Sequence, residues 1–155
     1  MKKDRLLKLT LDVYEKDCQY LKELAIDTDQ KKSRGTFSVP STCYAVKGRK
    51  YHLNAAEVII TYEQIMYATL SYFFINGQSN LKTIPVDYFF PTIVDEKTLI
   101  AKFNTRFLKP VSSEEFTGIF SIVKTIARKN KYFFSTLFDI NNGAQIADVT
   151  ICIEL

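Results

Sequence analysis

From Asn54 to Phe74 the chain runs without Gly or Pro, and Asn76-Gly77 follows as a natural stop. The start is marked as well. In Asn54-Ala55-Ala56-Glu57 a cap residue precedes an acid three positions on, so each side chain can satisfy the other's end of the first turn. At about 100° per residue, Glu57, Thr61, Gln64, Ala68 and Ser71 share one narrow stripe, and the rest of the circumference is mostly apolar. The pattern predicts a central helix over 54–75 that other elements enclose on most sides. Glu57, Thr61, Glu63 and Gln64 interrupt its apolar run, which argues against a membrane span.

Downstream the period changes from helical to alternating. Extended runs are predicted at Leu99 to Leu108, Phe116 to Arg128, Lys131 to Ile140 and Ala144 to Glu154, the last after an Asn141-Asn142-Gly143 hairpin turn. In the first run Leu99, Ala101, Phe103, Thr105 and Phe107 share a face opposite Lys102, Asn104 and Arg106. Spacings of about 10–15 residues between turns predict long antiparallel strands in a meander. A short helical turn is expected near 85–90. Upstream, residues 18–27 and 34–39 read as strands joined by a turn at 27–33, and 40–53 as an irregular connector. Leu6, Leu7, Leu9 and Leu11 make residues 1–13 an amino-terminal helix or arm. The sum is one α+β domain over 1–155, with about five to six strands curved around one long helix.

Composition narrows the function classes. Hydrophobic residues are 46% and charged residues 25%, an ordinary globular balance that excludes disorder. The net charge of +4 is spread along the chain, so no stripe for nucleic acid is present. Twelve Phe and nine Tyr stand beside only five Gly, and no glycine-rich phosphate loop can be found. Three cysteines (Cys18, Cys43, Cys152) lack paired spacing, which argues against a disulfide framework or structural zinc and fits a reducing cytoplasm. The amino terminus has no unbroken apolar stretch of a secretory signal.

Within this frame Glu63 breaks the helix pattern. It lies about 120° from the centre of the polar stripe, one turn from Ile59, Ile60, Met66 and Tyr67. A carboxylate there meets a partner or has a raised pKa, and the choice lies between a structural role, as an ion pair or a buried hydrogen bond to a strand backbone, and an acid/base group. His52, the lone histidine, stands two residues before the cap; with Glu63 it would make an acid/base pair where two chains meet. Asn54 caps a helix end whose free N–H groups and dipole would polarise a carbonyl oxygen. Tyr44 and Tyr14 offer phenols, with packing as the alternative for each. Cys43 reads as packing. With no G-x-S-x-G and a single histidine, a serine triad and a metal site are both excluded, and no cofactor is expected.

Tyr51-His52-Leu53-Asn54-Ala55-Ala56-Glu57 followed by Glu63-Gln64-Ile65-Met66-Tyr67-Ala68 resembles the FcoT-like family of acyl-thioester enzymes, with its His-x-Asn-Ala-x-Glu entry into a long helix. Arg106-Phe107-Leu108-Lys109-Pro110 and Asp139-Ile140-Asn141-Asn142-Gly143-Ala144 match two further stretches in order, and the likeness runs from about Leu6 to Leu155. The resemblance implies a hot-dog fold and a homodimer, or higher oligomer of dimers, with active sites between subunits. It also implies long-chain acyl-CoA hydrolysis, or glycine addition to an enoyl thioester of acyl carrier protein as in isonitrile-lipopeptide pathways. By position it implies active-site roles for Asn54, Tyr44 and Tyr14.

Glu63 stands where the family's thioesterase has asparagine. The His52/Glu63 pair resembles that of hydroxyacyl-thioester dehydratases, without their Gly/Pro-rich loop. Dehydration or hydration, and acyl binding without catalysis, therefore stay open. On this reading the thioester carbonyl sits at the helix start, held by N–H groups of Asn54 to Glu57. Glu63 is the base, His52 moves a proton and Tyr44 orients the incoming group. Tyr67, Phe73 and Phe103 line the acyl chain. Lys47, Arg49 and Lys50 meet the phosphates of coenzyme A or an acidic carrier protein, or else form a solvated loop.

Overall fold

What encloses the central helix is decided by the inward faces of the last three strands. In the computed structural model, which describes residues 1–42 and 44–155, α1 (Lys3–Leu11) leads through a 3₁₀ turn to β1 (Leu21–Asp27) and β2 (Lys32–Phe37). Next come α2 (Ala55–Ile75), a short α3 (Val86–Tyr88) that runs into a π turn, β3 (Thr98–Phe107), β4 (Phe116–Arg128), β5 (Lys131–Ile140) and β6 (Gln145–Glu154). Cys43, read above as a packing thiol, lies outside the described residues. Along β6, Gln145, Ala147, Val149, Ile151 and Ile153 are buried and their neighbours are less so, a clean period of two. β5 turns Phe134, Thr136, Phe138 and Ile140 inward in the same way.

Against these faces α2 packs Tyr62 and Phe74. Tyr62 meets Phe120 and Phe138 with ring centroids 5.9 and 6.0 Å apart, and Phe74 meets Phe134 at 6.1 Å. Full burial of each such ring contributes about 1.5–3 kcal/mol, which is why an aromatic-rich sequence holds so long a helix in a single sheet. The Tyr62 hydroxyl is satisfied by Thr136 Oγ1 at 2.7 Å, whose own proton goes to the Val149 carbonyl. By length and composition α2 would cross a bilayer, yet 67% of its most apolar window is buried inside the sheet.

All six strands form one antiparallel sheet in the order β1-β2-β4-β5-β6-β3. Only β4, β5 and β6 form a meander. β3, which precedes them, lies on the outer side of β6, so the segment after it has to cross the fold before β4 begins. That segment passes the start of α2, where the Val111 carbonyl accepts from Leu53 N at 2.9 Å. A second departure lies within β3. The register shifts between Ile100 and Lys102, leaving Ala101 as the extra residue of a bulge. Ile100 and Phe103 therefore pack against the core, while Leu99, expected on the same face as Phe103, is 63% exposed.

The two strand-end stretches singled out in the sequence hold one another. Leu108 N and Lys109 N both donate to the Ala144 carbonyl at 2.9 Å, and the Asp139 carboxylate accepts from Gly143 N at 2.6 Å. Asn141, Asn142 and Gly143 all have positive φ, the hairpin conformation that Asn and Gly tolerate.

The polar stripe of α2 faces inward. Glu57, Thr61, Gln64, Ala68 and Ser71 are all fully buried. Gln64 shows how polarity survives there: its Oε1 accepts from Tyr20 N and Leu21 N, both at 2.9 Å, and its Nε2 donates to the Cys18 carbonyl at 2.7 Å. One side chain thereby satisfies three backbone groups at the entry to β1. The uncovered side of the helix is one flank of this stripe, where Ile59, Ile60, Glu63 and Tyr67 are only half-buried.

Candidate functional site

Two polar clusters flank α2. The first surrounds its amino-terminal tip. Asn54 is in an extended conformation and closes a capping box: Oδ1 accepts from Ala56 N and Glu57 N at 2.9 and 3.3 Å, and Glu57 Oε2 accepts from Asn54 N at 2.6 Å. The other carboxylate oxygen of Glu57 takes the Asn54 Nδ2 proton at 3.1 Å and the Tyr44 hydroxyl proton. Glu57 is 0% exposed, whereas the Tyr44 ring above it is 51% exposed. Burial of the hydroxyl, with the Glu57 carboxylate beside it, pushes the Tyr44 phenol well above its ordinary range, so it stays protonated.

The tip is poorer in free donors than its sequence suggests. Of the N–H groups from Asn54 to Glu57, those of Asn54, Ala56 and Glu57 are spent within the box. Among the described residues, Ala55 N and the second proton of Asn54 Nδ2 have no recorded partner. An oxygen bound here would meet that pair rather than a row of four backbone amides. The physical reason is the cap itself, which satisfies orphan donors as it forms.

The second cluster lies on the uncovered face. The Glu63 carboxyl is half-buried among apolar groups, and loss of hydration raises its pKa above the ordinary 4.5. Tyr14 and Tyr67 are close enough to feel its charge. Burial, then Glu63, pushes the Tyr67 phenol up to about 12, and Tyr14 goes higher for the same reasons in the same order. Tyr14 is held there by the turn after α1: its carbonyl accepts from Gln19 Nε2 at 3.1 Å, and its N–H donates to the Leu11 carbonyl at 3.0 Å. Of the structural alternatives for Glu63, an ion pair finds no cation and a hydrogen bond to a strand backbone finds no partner among the described residues, and burial alone shifts the acid.

The sequence residues thus fall into two groups that one chain does not unite. Glu63 is nine residues beyond Asn54, about 13 Å along the helix axis. Tyr44 and Asn54 belong to the tip; Tyr14 and Tyr67 belong with Glu63. His52 is exposed; its backbone bridges to Ser112, and its imidazole has no hydrogen bond among the described residues. Lys50 is paired with Glu114 at 2.6 Å on the surface, while Lys47 and Arg49 are exposed and carry no ion pair among the described residues. Arg49 and Lys50 line a hollow of about 280 Å³ with Pro40, Ser113 and Glu114. Phe73, considered for the acyl path, is fully buried in the core, and Phe103 rests edge-on against Tyr62 at 5.8 Å. Glu57 was legible only as half of a cap. Its place on the stripe that turns inward was the signal that its second oxygen would need a partner.

The family described as the FcoT-like thioesterase domain matches residues 9–153. A (2E)-enoyl-ACP glycyltransferase of Streptomyces coeruleorubidus is 31% identical over 121 residues, 76% of this chain and 72% of that protein. Among solved structures, the HP0420-homologue from Helicobacter felis superposes with a TM-score of 0.52 at 12% identity, over 96% of this chain and 88% of that one. A thioesterase superfamily protein from Shewanella loihica does so with a TM-score of 0.51 at 10% identity, over 93% and 97%. At those identities the structural likeness concerns the fold, which is the hot-dog fold.

Proposed function

The chain belongs to the FcoT-like thioesterase domain family, and from that premise we propose that it is an enzyme acting on fatty acyl or 2-enoyl thioesters of acyl carrier protein or coenzyme A. The finer reading is glycine addition to a 2-enoyl thioester followed by thioester cleavage. The observation that carries it is the half-buried Glu63 carboxyl, raised in pKa and flanked by two protonated phenols. A carboxylate whose pKa is raised by burial is a stronger base than an exposed one. The 31% identity to an enoyl-ACP glycyltransferase supports the same choice.

Glu63 takes a proton from the ammonium group of glycine, and the freed nitrogen lone pair then bonds to C3 of the enoyl group. The C2–C3 π pair moves toward the thioester oxygen as an enolate, which Ala55 N–H and the free Asn54 Nδ2 proton receive. A proton returns to C2, delivered by His52 at the tip's entrance. Water then adds to the carbonyl, the C–S bond breaks, and the thiolate leaves with a proton. Because Glu63 and the tip of one chain are too far apart for a single carbonyl, this reading requires a homodimer that brings the Glu63 face of one protomer to the tip of the other. Lys47 and Arg49 serve the phosphates of the carrier.

The test is to incubate the purified protein with saturated and 2-enoyl thioesters, with and without glycine, following thiol release and product mass. Thiol release that needs both the enoyl group and glycine, with a mass gain for the adduct, is expected. Equal release from saturated substrates without glycine would leave simple hydrolysis. No product from any substrate would remove the enzyme reading altogether.

A further inference from the structure

We infer that Glu57 is a positioning residue: its buried carboxylate fixes the Tyr44 oxygen as a hydrogen-bond acceptor for the attacking group and reserves a single Asn54 proton for the substrate carbonyl. The inference rests on the proposed thioester chemistry and assigns the polarity of the site in which it occurs. A helix cap needs one oxygen of an acid at this position, and Asn54 N supplies that contact at 2.6 Å. A cap leaves the other oxygen to water. Here it is sealed from water and takes two side-chain donors, the Tyr44 hydroxyl and Asn54 Nδ2.

The consequence follows from counting protons. A phenol has one, and Tyr44 donates it to Glu57, so its oxygen can offer only lone pairs to anything arriving over its exposed side. Such an oxygen receives an N–H or O–H; it cannot brace a developing oxyanion. Asn54 is limited in the opposite sense. Its Oδ1 is occupied by Ala56 N and Glu57 N and one Nδ2 proton by Glu57, which leaves one Nδ2 proton beside the Tyr44 hydroxyl. A buried anion thus sorts two neighbouring groups into an acceptor for the nucleophile and a donor for the carbonyl. With a neutral amide at position 57, one of the donors now pointed at the carboxylate would face another donor, and this sorting would fail.

The test is a double-mutant cycle on kcat/KM with the full-length protein: Glu57→Gln, Tyr44→Phe and the pair. Gln keeps an acceptor for Asn54 N, so the helix start is preserved. Each single change is expected to lower kcat/KM about tenfold or more, and the double variant to be no slower than the slower single, because both remove one unit. Effects that multiply would overturn the inference, as would a Glu57→Gln protein that melts lower yet keeps full kcat/KM.

Should Glu57→Gln fail to fold, Tyr44→Phe alone decides. The alkaline difference spectrum of wild type minus Tyr44→Phe reports the Tyr44 phenolate, expected to form above the ordinary 10.0. Formation at 10.0 would mean that the contact with Glu57 is absent, and the inference falls. Wild type without any turnover would instead sink the proposed function, and the difference spectrum would still decide the polarity of Tyr44.

Discussion

Glu63 carries the clearest prediction at the level of single residues. Its pKa is raised by burial, so the folded state binds a proton more tightly than the unfolded chain does. Stability is therefore unpenalised below the ordinary 4.5 and falls as pH rises through the window above it. Glu63→Gln is expected to lower kcat about 100-fold or more while raising the thermal midpoint at pH 7 by about 1–3 °C, with no gain at pH 4. Parallel melting curves at the two pH values check the sign; a variant that loses stability at pH 7 would show that the carboxylate has a stabilising partner. Gln145 offers a second case. It is 1% exposed, and its Oε1 is a buried oxygen without a hydrogen-bond partner among the described residues. Gln145→Met, similar in volume and apolar, should stabilise the fold by about 1 kcal/mol in urea denaturation.

Among the elements, β2 and β4 pair two glycines face to face, and aromatic rings fill the space their side chains would take. Gly35 pairs with Gly118, and a Cβ on Gly118 would stand 2.4 Å from the Phe138 ring. Gly118→Ala should cost about 1–3 kcal/mol, read as a lower midpoint in guanidinium with an unchanged slope. Long elements were legible because their signals are local. The capping box at Asn54 and Glu57 and the bounds of β4 and β5 required only neighbours in sequence. The bulge at Ala101 was not legible, since two registers of β3 give similar alternation and the partner strand β6 chooses between them. For the same reason the place of β3 at the sheet edge, rather than in a meander, escaped a reading by consecutive runs.

For the whole molecule, the uncovered side of α2 matters most. Ile59, Ile60, Glu63 and Tyr67 form a half-buried, mostly apolar strip on a helix whose polar stripe is sealed inside. The proposed homodimer would cover this strip and supply Glu63 to the opposite tip. Sedimentation should give twice the chain mass of 17.9 kDa for the wild type. Ile60→Lys should give a folded monomer at that mass with turnover reduced at least tenfold. A monomeric wild type with full activity would refute the shared site.

The sequence by itself determined the long helix and its cap, the strand-rich envelope, and Glu63 as an acid among apolar neighbours, because propensity, capping and periodicity act over a few residues. Tertiary structure decided which side of α2 faces the core. Polar side chains can be buried when β1 brings backbone groups to Gln64 and Tyr44 brings a hydroxyl to Glu57, and those partners are distant along the chain. Hydrogen bonds of this kind depend on where the chain returns, so the arrangement of donors and acceptors at the helix tip exists only in the folded molecule.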